Sequence, residues 1–225
     1  MGLALHAIKV LAPHMKGAKV LSLGYPDILA SIEDIEGIFC VKPRTIDAGA
    51  QHGINRQLVE TMDLMRLIGS TLECVDVICW RGFERVLDLN EPHDLGEFDL
   101  VIDPGTTEHC FNIGQAIMNA ARAVRVGGRI YHSPPMTMIN HGFYNVCPTA
   151  LWDFYEQNGW RIEFLEARIG SSSAPIDAPG AVSRKVKVHP ETGMCFMAQR
   201  LFTGALKWPL QKKYVLMNER SKGAA

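Results

Sequence analysis

The chain has no CxxC pair among its six cysteines, no internal repeat, no low-complexity tract and no apolar run near the ~18 residues a membrane span needs. Without paired cysteines it offers neither a zinc ribbon nor a thiol-exchange motif, and four of the six lie in apolar segments, where free cysteine packs as a small core residue. It also lacks an excess of either charge: 23 Lys and Arg stand against 24 Asp and Glu, a net charge of −1. That balance supplies no field for capturing a polyanion, so nucleic acid is not an expected partner. The segment Met1 to Met15 is apolar but interrupted by His6, Lys9 and Pro13, with no basic lead. Gly2 is followed by His6 where myristoylation prefers Ser or Thr. The expectation is a reduced, soluble, cytoplasmic protein without a membrane segment. Hydrophobic residues make up 47% of the 225, enough for one large domain with a sizeable core.

Short β-rich runs alternate with helical patterns. Lys19 to Leu23 is an apolar run ending at Gly24, as a buried parallel strand before a tight turn would be. Ile54, Leu58, Met62, Met65 and Ile68 repeat at helical spacing up to Gly69. Strands are expected at Glu73 to Cys79, Arg85 to Leu89 and Phe98 to Ile102. A helix over Asn112 to Val124 leads into a strand at Arg129 to His132. Pro148 opens another helix, which stops at Asn158-Gly159, and strands follow at Trp160 to Ile169 and Met194 to Phe202. Gly170 to Pro190, rich in Ser, Pro and Gly, reads as an exposed loop. This rhythm implies an α/β fold with a mostly parallel seven-stranded sheet, helices on both faces and an antiparallel C-terminal hairpin.

In such sheets ligands bind beyond the carboxyl ends of the strands. Gly24-Tyr25-Pro26-Asp27 follows the first strand, Asp76 lies in the second, Asp88-Leu89-Asn90 closes the third, and Asp103 to His109 follows the fourth. Ser133 to Tyr144 follows the fifth. This order, with "DLN", "FDLVID", "EH" and "VGGRI" at successive strands, resembles the class I S-adenosylmethionine-dependent methyltransferases, a Rossmann-like superfamily, over about residues 19–202. The resemblance implies S-adenosylmethionine as cofactor, Asp76 at its ribose hydroxyls, and Asp88 with Leu89 at its adenine edge. Gly24 and Asp103 complete the expected cofactor-binding set. Carboxylates suit the task, because hydroxyls and an exocyclic amine are donors.

The first motif is degenerate: after Gly24 come Tyr25, Pro26 and Asp27 instead of further glycines. From Gly24 to Asp76 the chain is also longer than the family's spacing, so residues 25–53 read as an insertion, with Gly37 to Phe39 open to being a further strand. Gly24 also suits a plain turn, and Asp76 a helix cap. The whole chain, 1–225, reads as one domain with a basic tail at 207–225.

His109, His132 and His141 fall near the active edge, where an imidazole can take a hydroxyl proton as a methyl group transfers. His141 and His109 are the candidate bases and Tyr144 the group that positions substrate. No HxxxH or Cys/His pair has ligand spacing, so no metal is expected. The expected activity is methyl transfer to a small polar acceptor at oxygen, the family leaning towards sugars and secondary metabolites. The alternative, suggested by the degenerate glycine motif, is a catalytically silent relative serving as a binding or assembly module. A nicotinamide-dependent oxidoreductase lacks both its three-glycine fingerprint and a YxxxK pair. The partner is a small-molecule substrate, and the sequence leaves a homo-oligomer open.

Overall fold

The computed structural model describes residues 2–170, 172–179 and 188–223. In chain order these form β1 (Gly2–Leu3), α1 (Leu5–Met15), β2 (Lys19–Leu23), β3 (Asp27–Ile28), α2 (Ile32–Phe39), β4 (Thr45–Ile46) and β5 (Leu58–Val59). Then come α3 (Thr61–Leu67), β6 (Thr71–Asp76), β7 (Glu84–Val86), β8 (Phe98–Asp103), α4 (Ile113–Arg122) and β9 (Val124–His132). The chain finishes with α5 (Pro148–Gln157), β10 (Arg161–Ile169), β11 (Ser172–Pro175), β12 (Gly193–Gln199) and α6 (Lys212–Gly223). Among the described residues no helix is long and apolar enough to cross a membrane.

The main sheet runs β11-β10-β12-β9-β8-β2-β6-β7. Its neighbours from β7 to β9 are parallel, and β12 turns antiparallel to both β9 and β10. This is a Rossmann-like, mostly parallel α/β sheet with the expected antiparallel hairpin. Both faces are buried, and the strands show why. Leu21, Val101, Ile130 and Phe196 point into a core shared with α4 and α5. The adjacent residues Val20, Leu100, Tyr131 and Cys195 point into a second core, shared with α1, α2 and α3. Apolar residues on both parities of a strand are the signature of a sheet covered on each side.

Four expectations are corrected. The sheet has eight strands, because Ser172–Pro175, inside the expected loop, pairs antiparallel with β10; residues 171 and 180–187 of that loop, and 224–225 of the basic tail, lie outside the described residues. Gly37 to Phe39 is the last turn of α2, which Ser31 caps by accepting the Asp34 N–H, not a strand. The helical spacing from Ile54 to Ile68 yields helix only from Thr61, because the Glu60 side chain accepts the N–H groups of Met62 and Asp63 and starts the helix there. The third strand is shorter than expected and stops at Val86.

The segment read as an insertion belongs to a small second sheet, order β1-β3-β5-β4, which joins residues near position 2 to residues near position 59. Asp63, in the first turn of α3, fastens it: its buried carboxylate accepts the Arg44 N–H at 2.7 Å and an Arg66 guanidinium N–H at 2.9 Å.

Candidate functional site

The chain leaves β2 for the β6–β7 side and returns to β8 on the other, so the order of the strands reverses between β2 and β8. Ligands of open α/β sheets bind at such a reversal. Here the Thr106 hydroxyl bridges it, donating to the Leu23 carbonyl.

Asp103, at the end of β8, has no exposed surface. Its carboxylate accepts the Thr106 N–H at 2.8 Å and the Thr107 hydroxyl at 2.7 Å, and His132 Nδ1 lies 2.7 Å away. Burial opposes its ionisation, but these hydrogen bonds, led by that of His132, hold its pKa below the ordinary value. An ionised carboxylate only accepts, so His132 Nδ1 donates to it, and His132 Nε2 shares a 2.7 Å hydrogen bond with the Tyr155 hydroxyl. The carboxylate expected at the cofactor is therefore turned inward, and His132, one of three histidines expected at the edge, is part of the core.

The 3-10 turn Thr107–His109 then points consecutive side chains in opposite directions. Glu108 goes inward and has no exposure, while His109 stays half exposed. The loop after β9 folds back onto this turn: the Phe143 N–H donates to the Glu108 carbonyl at 2.9 Å. Gly142 allows the approach, because a Cβ there would meet that carbonyl oxygen at 2.9 Å and His109 Nδ1 at 3.2 Å. His141 is thereby delivered to Glu108, its Nε2 lying 3.6 Å from Oε1. The two imidazole rings sit 5.3 Å apart.

Neither oxygen of Glu108 has a hydrogen-bond partner among the described residues. Burial, with the nearby Asp103 charge, pushes its pKa up to about 8. Partial burial and the neighbouring His141 push that of His109 down. Gly105, Glu108, His109, Ser133, His141 and Arg168 line a cavity of about 300 Å³. A second hollow of about 670 Å³ adjoins it through His141 and Arg168.

Tyr144 does not face that cavity's lining; its hydroxyl donates to the Phe111 carbonyl at 2.8 Å, beside an edge-to-face pair of exposed rings, Phe111 and Phe143.

The remaining expected residues lie on the other side of the reversal. Asp76 ends β6, and its Oδ1 accepts the Val77 and Ile78 N–H groups. Asp88 is exposed, with Oδ1 accepting the backbone and side-chain N–H groups of Asn90, which lower its pKa. Leu89 is buried in the core. Gly24 takes φ +79° and donates its N–H to the Val75 carbonyl at 2.6 Å.

Gly24 to Asp27 is buried throughout. Tyr25 donates to Glu60 Oε1 at 2.7 Å and stacks on Phe83, while Asp27 pairs with Arg81 at 2.7 Å and with His52 at 2.9 Å. Neither cavity is lined by Gly24, Asp76 or Asp88. Sequence reading placed Glu108 in this loop but gave it no role. The adjacent "EH" pair was visible; the return of His141 onto it was not.

No protein-family model matches the chain, and no curated protein does. Among solved structures it is similar to TehB from Haemophilus influenzae, at 11% identity and a TM-score of 0.42, over 87% of this chain and 60% of that one. It is also similar to a protein from Galdieria sulphuraria described as a sarcosine dimethylglycine methyltransferase, at 14% identity and a TM-score of 0.34, over 60% of this chain and 46% of the other. The chain thus spans less than two thirds of either protein. Neither likeness carries weight beyond that, and the architecture is read from the strand order itself.

Proposed function

We propose that this chain transfers a methyl group from S-adenosylmethionine to a small polar acceptor held in the cavity beside His109 and His141. One observation carries the reading: in the order β7-β6-β2-β8-β9, Asp76 and Asp88 stand at the carboxyl ends of adjacent strands. Each keeps an oxygen, Oδ2, that accepts no hydrogen bond among the described residues. A ribose diol needs such acceptors, so the nucleoside part of the cofactor fits these residues. When bound, the cofactor supplies an electrophilic methyl group.

The protein's own part is alignment and proton removal. An imidazole whose pKa is depressed stays neutral near pH 7, which leaves a lone pair on His109 for the acceptor's proton. His141 offers a second such nitrogen on the same cavity. Tyr144 supports the aromatic wall of Phe111 and Phe143 rather than the reacting atoms.

The second reading is a catalytically silent module, and the buried opening turn favours it. Tyr25, Asp27 and Arg81 fill with protein the ground that a glycine-rich turn leaves to the cofactor. Calorimetric titration with S-adenosylmethionine and with its demethylated product separates the two. Saturable heat, weakened about tenfold in Asp88→Ala with folding intact, is expected from loss of a charged acceptor. No heat from either compound at millimolar concentration rejects methyl transfer and leaves the silent module. In the active case, His141→Ala slows turnover and leaves cofactor affinity unchanged.

A further inference from the structure

We propose that Glu108, His109 and His141 form a three-ligand site for a divalent cation of the zinc class, with its open face turned to the cavity. Each side chain offers one ligand atom, and the three atoms lie within 4.8 Å of one another. Glu108 Oε1 stands 3.6 Å from His141 Nε2 and 4.0 Å from His109 Nε2. Tetrahedral ligands at ~2.1 Å from an ion are separated by ~3.4 Å, so holding a zinc ion closes the two carboxyl–imidazole gaps by ~0.2 and ~0.6 Å and the imidazole–imidazole gap by at most ~1.4 Å.

Glu108 supplies an independent reason. A carboxyl group with no exposure and no hydrogen-bond donor to either oxygen among the described residues ionises only at a cost, and a bound cation would offset that cost. Among the described residues the ionisable side chains nearest to its oxygens are the two imidazoles, and imidazole is a preferred nitrogen ligand for zinc.

The backbone is arranged around this contact from both sides. Gly105, at φ +105°, brings its Cα up to the carboxylate, where a Cβ would meet Oε1 at 3.0 Å. Gly142 and the Phe143 N–H hold the His141 loop against the turn. Two histidines and one carboxylate leave a fourth position open, the ligand count of catalytic rather than structural zinc. That position faces the cavity that Ser133 and Arg168 also line.

The inference does not rest on the methyl-transfer reading. Where both hold, Glu108, His109 and His141 would hold the ion, which would acidify the acceptor hydroxyl so that its proton passes to solvent water rather than to an imidazole.

The test uses the full chain, stripped with a chelator and then titrated with zinc sulfate in the absence of cofactor and acceptor. One zinc per chain is expected. His109→Ala and His141→Ala, both at half-exposed positions that tolerate truncation, should each weaken it at least ~10-fold. Glu108→Gln, which keeps volume, should do the same, with circular dichroism reporting its fold. Cobalt(II) absorption distinguishes nitrogen and oxygen ligands from the exposed thiols Cys40, Cys79 and Cys147. Failure to take up zinc below millimolar concentration overturns the site. So does uptake that both histidine variants leave unchanged, or a cobalt spectrum carrying thiolate charge transfer.

Discussion

Asp103, His132 and Tyr155 form a hydrogen-bonded line without exposed surface, running from the end of β8 through β9 to α5. Removing the acidic end strands the groups that depend on it. Asp103→Asn should therefore cost on the order of 3 kcal/mol in denaturant unfolding at pH 7. Tyr155→Phe, which deletes one hydroxyl and leaves the ring packed, should cost about 1 kcal/mol. The pH dependence follows from the depressed pKa of Asp103. A carboxyl with a lower pKa in the folded state stabilises above its ordinary range near 4, and that contribution is lost as pH falls through the folded value. The stability gap between wild type and Asp103→Asn should thus narrow in acid; a gap that is constant down to pH 2 would contradict the assignment. None of this line was legible as such. The sequence placed Asp103 and His132 correctly at strand ends, but a polar residue at a strand end reads the same whether it faces ligand or core.

Among the elements, the small sheet decides how the opening turn behaves. It sets Asp27 beside Arg81 and His52, so that a carboxylate is buried against a guanidinium and an imidazole. Arg81→Ala leaves only His52 and should destabilise the protein by about 2 kcal/mol by thermal or denaturant unfolding, less than complete loss of a buried pair. A change within experimental error would mean that the turn is held by Tyr25 and its neighbours alone. The small sheet was also the part least legible from sequence. Its strands are two residues long, too short for alternation to register, and Leu58 was absorbed into a helical pattern that the Glu60 cap cuts off. By contrast β2, β8 and α4 were legible because long apolar runs and a stripe at helical spacing leave one arrangement that buries them. His141 lies too far along the chain from Glu108 for any spacing rule to join them; only the docking of one loop on another does.

Over the whole molecule, stability is unevenly spread. β8 and β9 lie in the middle of the main sheet between two cores, whereas β3 meets β5 through one residue pair, Ile28 and Val59. Native-state hydrogen exchange should find its slowest amides in β8, β9 and β12, and should find Thr45–Ile46 and Leu58–Val59 opening at markedly lower free energy. Equal protection in both sheets would show that they unfold as one unit.

The added eighth strand has a consequence for how copies of the chain meet. It ends one margin of the main sheet with four residues closing on Pro175, and the other margin is the three residues Glu84–Val86, with Arg85 at their centre. Margins this short, finished by an imino acid at one side and charge at the other, are poor templates for a further ribbon. Crowded copies should thereby gain little from stacking the main sheet edge to edge into filaments.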